Sequence, residues 1–163
     1  MSLRTWVLAK PNRMRHVMNV WPPFFFAGIK LVHISSDWRV CKVILKHRPW
    51  TKNANGTQFG GSMFAMTDPI YSVLLMGALN DRYFVWDKGA SIEFIKPGVG
   101  ELYVECHITE KLMTEIQHHT RHGEKYFPEV VDTLYDSKGN EVAKLHRTLY
   151  VRLKPQHRPE TVD

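Results

Sequence analysis

The chain has 163 residues, with 22 Lys or Arg against 16 Asp or Glu and a formal net charge of +6 when histidines are neutral. That length accommodates one well-cored domain rather than two, and 44% hydrophobic with 23% charged residues excludes intrinsic disorder and fibrous classes. The cationic excess favours an anionic partner, whether nucleic acid, membrane surface or phosphate-bearing small molecule, without choosing among them.

Residues 12–20 read as a short basic helix, stopped by Trp21-Pro22-Pro23 and followed by the apolar cluster Phe24-Phe25-Phe26. The N-terminal cations Arg4, Lys10, Arg13 and Arg15 precede any acid, but the segment lacks both the serines of a transit peptide and the apolar core of a signal. The expected location is cytoplasmic. Residues 29–35 and 38–47, rich in Val, Ile and Leu, predict a hairpin across Ser36-Asp37, and the polar turn residues of 48–57 predict a loop.

Residues 59–79 carry apolar groups on nearly every helical face, the pattern of a helix wrapped by other structure. Asp68 is the only charge between Ala54 and Asn80, and Gly60, Gly61 and Pro69 break the run, which argues against a membrane span. Strands are predicted over 84–95, 101–112, 130–135 and 142–153. The second alternates Leu102, Val104, Cys106, Ile108 and Leu112 against Glu101, Tyr103, Glu105 and His107. Turn residues at Lys96-Pro97-Gly98 and across 136–140 make antiparallel connections, while 113–125 is a helix or a long loop. The expected fold class is α+β: one domain over 1–163, with about six antiparallel strands curled around a long central helix, a core over 12–154 and a frayed tail over 155–163.

Cys41 and Cys106 stand in separate apolar segments without CxxC spacing and read as small core residues in a reducing compartment. His118, His119 and His122 with Glu115 lie within helical reach of one another, but ligands on one exposed helix seldom make a metal site, so no metal is expected. Asp68 is the sharpest chemical feature. A carboxylate within a buried apolar helix costs several kcal/mol of desolvation unless something solvates it. It therefore belongs to a functional cavity, or it is satisfied by backbone amides or by a Lys or Arg from a neighbouring strand. The functional reading expects it unpaired, in a cavity near a subunit boundary. Pro69 should bend the helix beside it, and Gly60-Gly61-Ser62 opens the helix with amides able to hold an oxyanion.

The run Asn53-Ala54-Asn55-Gly56-Thr57-Gln58-Phe59-Gly60-Gly61, with Asp68 downstream, resembles the Asn-x-x-Gly-x-x-His-Gly-Gly signature of hotdog-fold thioesterases of the phenylacetic-acid-pathway type. Ala90, Ile92, Phe94, Lys96, Pro97 and Gly100 are similar to the strand-and-turn signature after the central helix in that superfamily. Together with Trp21-Pro22-Pro23-Phe24, Phe59-Gly60-Gly61-Ser62, Asp68-Pro69 and Trp86-Asp87-Lys88, they look like a less characterised thioesterase-like branch. The resemblance covers residues 12–154.

It implies a hotdog fold, at least a homodimer, and hydrolysis of an acyl thioester, with a coenzyme A thioester as substrate and no cofactor. By position, Asp68 would be general base or nucleophile, Asn53 would orient water or thioester, and Gly60 would donate its amide to the thioester oxygen. Substrate binding would fall on Phe59, Gly61, Ser62 and Lys88, with Lys96, Arg13 and Arg15 as further candidates for the coenzyme phosphates. In related enzymes the Asp and the Gly-Gly turn come from opposite subunits. Phe59 stands where those enzymes carry His, which leaves a non-catalytic thioester-binding or scaffold protein as the alternative. Neither a nucleic acid nor a membrane is expected as partner.

Overall fold

The computed structural model describes residues 3–159. Three short helices, α1 (Leu3–Leu8), α2 (Pro11–Val20) and α3 (Pro22–Ala27), lead into the hairpin of β1 (Ile29–Ile34) and β2 (Val40–Leu45). Proline occupies the first turn of α2 and of α3, where a missing amide costs nothing, and Met14 and Met18 bury one stripe of α2. Gly28 ends α3 in the left-handed conformation at φ +78, and a Cβ there would meet the Lys46 carbonyl at 3.2 Å.

The helical stretch that follows is two helices, α4 (Gly60–Ala65) and α5 (Ile70–Ala78), separated by turn residues 66–69. A bend was expected at Pro69, and the outcome is a break. Pro69 has no amide to offer the Ala65 carbonyl, so the Asp68 amide takes that acceptor at 3.1 Å and the Ile70 amide turns back to Thr67 at 3.0 Å. Beyond it, α5 is buried through Ile70, Tyr71, Ser72, Val73, Leu74 and Leu75. Gly77 admits the Trp38 ring, which would lie 2.1 Å from a Cβ.

Four longer strands complete the sheet, with one short one: β3 (Tyr83–Phe94), β4 (Leu102–His107), β5 (Lys125–Tyr126), β6 (Glu129–Asp136) and β7 (Glu141–Leu153). All pairings are antiparallel in the order β1-β2-β4-β6-β7-β3, with β5 added beside β7. The sheet thus has seven strands rather than about six, because a two-residue strand carries no periodicity to read. The strand predicted over 101–112 stops at His107. Thr109 then caps α6 (Glu110–His119), its hydroxyl accepting from the Leu112 amide at 3.1 Å, and Leu112, Met113 and Ile116 become the buried face of a helix.

The tail expected from 155 begins as a short 3-10 turn, Pro155–His157, and Arg158 donates to the Leu153 carbonyl at 3.0 Å. Residues 160–163 lie outside the described part. Cys41 and Cys106 face each other across β2 and β4 as free buried thiols, and burial pushes both thiols up, that of Cys41 to about 12, which disfavours the nucleophilic thiolate. No helix among the described residues is long and apolar enough to cross a membrane.

Candidate functional site

The break between α4 and α5 is organised by Arg147, which interrupts the apolar series Ala143, Leu145, Leu149, Val151 and Leu153 on the inward face of β7. Its side chain is 1% exposed, and every nitrogen is engaged. Nε donates to the Thr67 hydroxyl at 2.9 Å, Nη2 to the Phe64 carbonyl at 3.0 Å, and Nη1 to Asp87, with Asp68 Oδ1 at 3.5 Å. The guanidinium also lies over the Phe64 ring, 5.3 Å from its centroid. A buried cation thus ties the end of α4 and the 66–69 turn to β3.

Asp68 is neither buried nor unpaired. Its side chain is 51% exposed, and its partner is an arginine of a neighbouring strand. Burial of Asp68 would require a continuous helix; the break at Pro69 swings this residue outward into water. Asp87, at the β-bulge of β3, is the more enclosed of the two acids that share Arg147. Burial raises its pKa, Arg147 opposes the rise, and the Asp68 charge adds to it.

Phe59, Gly60, Gly61 and Ser62 lie at the opposite end of α4. Gly60 and Gly61 open the helix, so their amides have no intrahelical acceptor. Two phenyl rings cover them: a Cβ on Gly60 would lie 2.9 Å from the Phe94 ring, and one on Gly61 would lie 2.4 Å from the Phe59 ring. Only glycine admits both rings at these distances. Phe59 is exposed, whereas Ser62 is buried in the first turn.

Asn53 is committed to its own loop. Its oxygen accepts the amides of Asn55 and Thr57 at 3.0 and 3.1 Å, and its Nδ2 donates to the Thr57 hydroxyl at 2.8 Å and the Gln58 carbonyl at 3.3 Å. Gln58 then anchors the loop to the Gly100 carbonyl at 2.8 Å. Lys88 is exposed at the β3 bulge with its ammonium 4.1 Å from the Phe127 ring centroid. Lys96 is paired with Asp136 at 2.7 Å, an ion pair that holds the Asp136 carboxyl well below the usual range, and Arg13 stacks on Trp6.

On α6, His118 packs edge-on against His119, and His119 stacks on Tyr126; no cluster of three metal-ligating side chains occurs among the described residues. The structure therefore gathers Phe59, Gly60 and Gly61 with Phe94, and Asp68 with Asp87 and Arg147, at the two ends of α4. Phe94, Asp87 and Arg147 were not among the predicted site residues. The period-2 alternation of β7 carried the one usable signal, since it places Arg147 at a core position.

A family model described as a domain of unknown function (DUF4442) matches residues 12–151. No curated protein matches the sequence. The fold is similar to that of a Pseudomonas aeruginosa protein of unknown function, named a probable thioesterase, with TM-score 0.76 and 16% identity over 94% of this chain and 99% of that one. It is also similar to a Chlorobaculum tepidum protein of unknown function (TM-score 0.70, 16% identity, 89% and 97% covered). A variant of a hypothetical thioesterase from Streptococcus pneumoniae matches at TM-score 0.55 and 15% identity, with 77% and 92% covered. At such identities the likeness is one of fold, and the fold is the hotdog.

Proposed function

The chain belongs to the DUF4442 family, and from that premise we propose that it hydrolyses acyl thioesters, with acyl-coenzyme A as the substrate class. Asp68 carries this reading: it keeps half its side chain open to water while buried Arg147 fixes its place, the combination a general base or nucleophile needs. In the proposed step, Asp68 takes a proton from water as the water oxygen adds to the thioester carbonyl carbon, and passes that proton to the departing sulfur as the C–S bond breaks; alternatively its carboxylate adds to that carbon, the thiolate leaves, and water hydrolyses the resulting acyl–Asp68 anhydride to free acid. The Gly60 amide donates to the carbonyl oxygen as charge develops on it. Asn53 contributes by holding the loop that presents the Gly-Gly turn.

Gly60 opens α4 and Asp68 lies in the turn beyond its other end, with the five residue steps from Gly60 to Ala65 rising about 7–8 Å along the helix axis. Their placement at opposite ends of α4 supports a homodimeric site that takes the turn from one subunit and the acid from its partner. The long edge of β3, paired only with β7 and flanked by exposed Phe94 and Ile95, is a surface that a second subunit can cover.

The test is turnover across short, long and aromatic acyl-coenzyme A substrates in wild type, Asp68→Asn and Gly60→Pro. Proline at the first helical position removes the amide yet keeps the helix, and because its Cβ also displaces the exposed Phe94 ring, Phe94→Ala, which should stay active, serves as the control. Asp68→Asn and Gly60→Pro should both be inactive. Co-refolding them in equal amounts should restore about one quarter of wild-type activity, because half the dimers then carry one intact site of two. Undiminished turnover in Asp68→Asn overturns the assignment. A second reading, thioester binding without hydrolysis, is favoured by Phe59 at the position where an imidazole would act; binding without turnover in wild type establishes it.

A further inference from the structure

The cations are distributed unevenly along the chain. Residues 1–67 hold ten Lys or Arg against one acid, Asp37, for a net +9, while residues 68–163 hold twelve against fifteen, for −3. The fold gathers part of this positive half around β1, an edge of the sheet that Asn19 closes by bonding both the amide and the carbonyl of Leu31, at 2.7 and 2.9 Å.

Beside that edge lies a groove of about 640 Å³ lined by Phe25, Phe26 and Trp50 together with Lys30, Lys46 and Arg48. The three rings are 60%, 68% and 65% exposed, whereas neighbouring Phe24 is buried, so α3 turns one phenylalanine inward and leaves two in water. Val20, at the end of α2, is also exposed. Burial of large apolar groups normally stabilises a fold, and a cluster of them left in water marks a contact surface. None of the three cations pairs with a carboxylate among the described residues.

From this juxtaposition of unburied aromatics with cations that no carboxylate neutralises, Arg48 lying over the Trp50 ring 5.3 Å from its centroid, we propose that the face formed by α3, the start of β1 and residues 46–50 docks on an anionic membrane surface. Phe25, Phe26 and Trp50 enter the headgroup layer, and Lys30, Lys46 and Arg48 meet lipid phosphates. Charge selects this occupant over a second copy of the chain, since a two-fold contact of the face with itself would bring the three cations against their equivalents. No helix among the described residues is long and apolar enough to cross a membrane, and lying on its surface requires no crossing. The proposal is independent of turnover, and its assay measures none.

The experiment is co-sedimentation of the full chain with vesicles of phosphatidylcholine alone and with about 30 mol% phosphatidylglycerol, at low and high salt. The protein should bind the anionic vesicles and release as salt rises. Lys30→Glu/Lys46→Glu/Arg48→Glu should weaken binding on the order of 10²-fold or more, at about fivefold per lost cation. Phe25→Ser/Phe26→Ser should lose at least about tenfold while keeping the wild-type circular dichroism spectrum, since both positions are outside the core. Four results overturn the proposal: equal binding to neutral vesicles, no salt dependence in the wild type, binding to single-stranded RNA that is tighter than to anionic vesicles, and conversion of an oligomer to monomer by the phenylalanine pair with vesicle binding unchanged.

Discussion

Replacing Arg147 with Met tests whether the helix break is held by a buried cation. Methionine keeps the length and apolar stem of the side chain, so packing along β7 is largely conserved while all the donors vanish. The loss leaves Asp87 half-enclosed without its partner, the Thr67 hydroxyl and Phe64 carbonyl without theirs, and Asp68 without an anchor. Breaking one side of a buried pair costs about 3–5 kcal/mol, a large share of the roughly 5–15 kcal/mol that stabilises a domain. At roughly 2–4 °C per kcal/mol for a chain of this size, the midpoint should fall by about 6–20 °C.

The pH dependence has a definite sign. Burial already raises the Asp87 pKa, and removing Arg147 takes away the opposing influence. A folded-state pKa above the unfolded value contributes stability at low pH that is lost as pH rises through it. The penalty of Arg147→Met should therefore be largest at pH 7 and shrink toward pH 5, as Asp87 takes up a proton. Urea unfolding at both values measures it. A loss below about 1 kcal/mol at pH 7, or a penalty that grows on acidification, refutes the view that Arg147 compensates a buried acid.

The strands over 84–95 and 142–153 lie within a residue of β3 and β7, because long alternating runs leave one way to bury an apolar face. The fourth predicted strand does not extend to Leu112, for a definable reason. Ile108 and Leu112 satisfy period 2 and also the four-residue spacing of a helix, and the Thr109 cap decides between them. Asp68 stands out in the sequence for a burial that the structure does not give it. Its apolar neighbours imply burial only if the helix is continuous, and Pro69 together with Arg147, 79 residues downstream, decides that it is not. The Phe94 ring over Gly60 was illegible for a similar reason, since it depends on where the far end of β3 passes the start of α4.

Tyr71→Phe removes the hydroxyl that donates to Asp132 Oδ1 at 2.9 Å in the core, and Oδ2 has no other hydrogen-bond partner. The variant should lose about 1–3 kcal/mol at pH 7 and less at pH 5, because burial raises the Asp132 pKa and losing the Tyr71 bond raises it further; denaturant midpoints at the two pH values check it. Phe59→His bears on the chemistry itself. The Phe59 ring lies against Gly61 in the first turn of α4, so an imidazole in the same rotamer would bring a ring nitrogen to the turn whose Gly60 amide is proposed to hold the thioester oxygen. Phe59 is exposed, so the exchange should leave the core untouched. A single polarising donor at a developing oxyanion contributes on the order of 10²-fold in rate, and acyl-coenzyme A turnover should rise by up to about that factor over a slow wild type. A rise due to the imidazole must also bring a new step in the pH–rate profile, at about pH 6.5, where wild type has none from this position. A faster variant without that step would trace the gain to an opened pocket, and an unchanged rate with unchanged substrate affinity would show that the oxygen does not reach this turn.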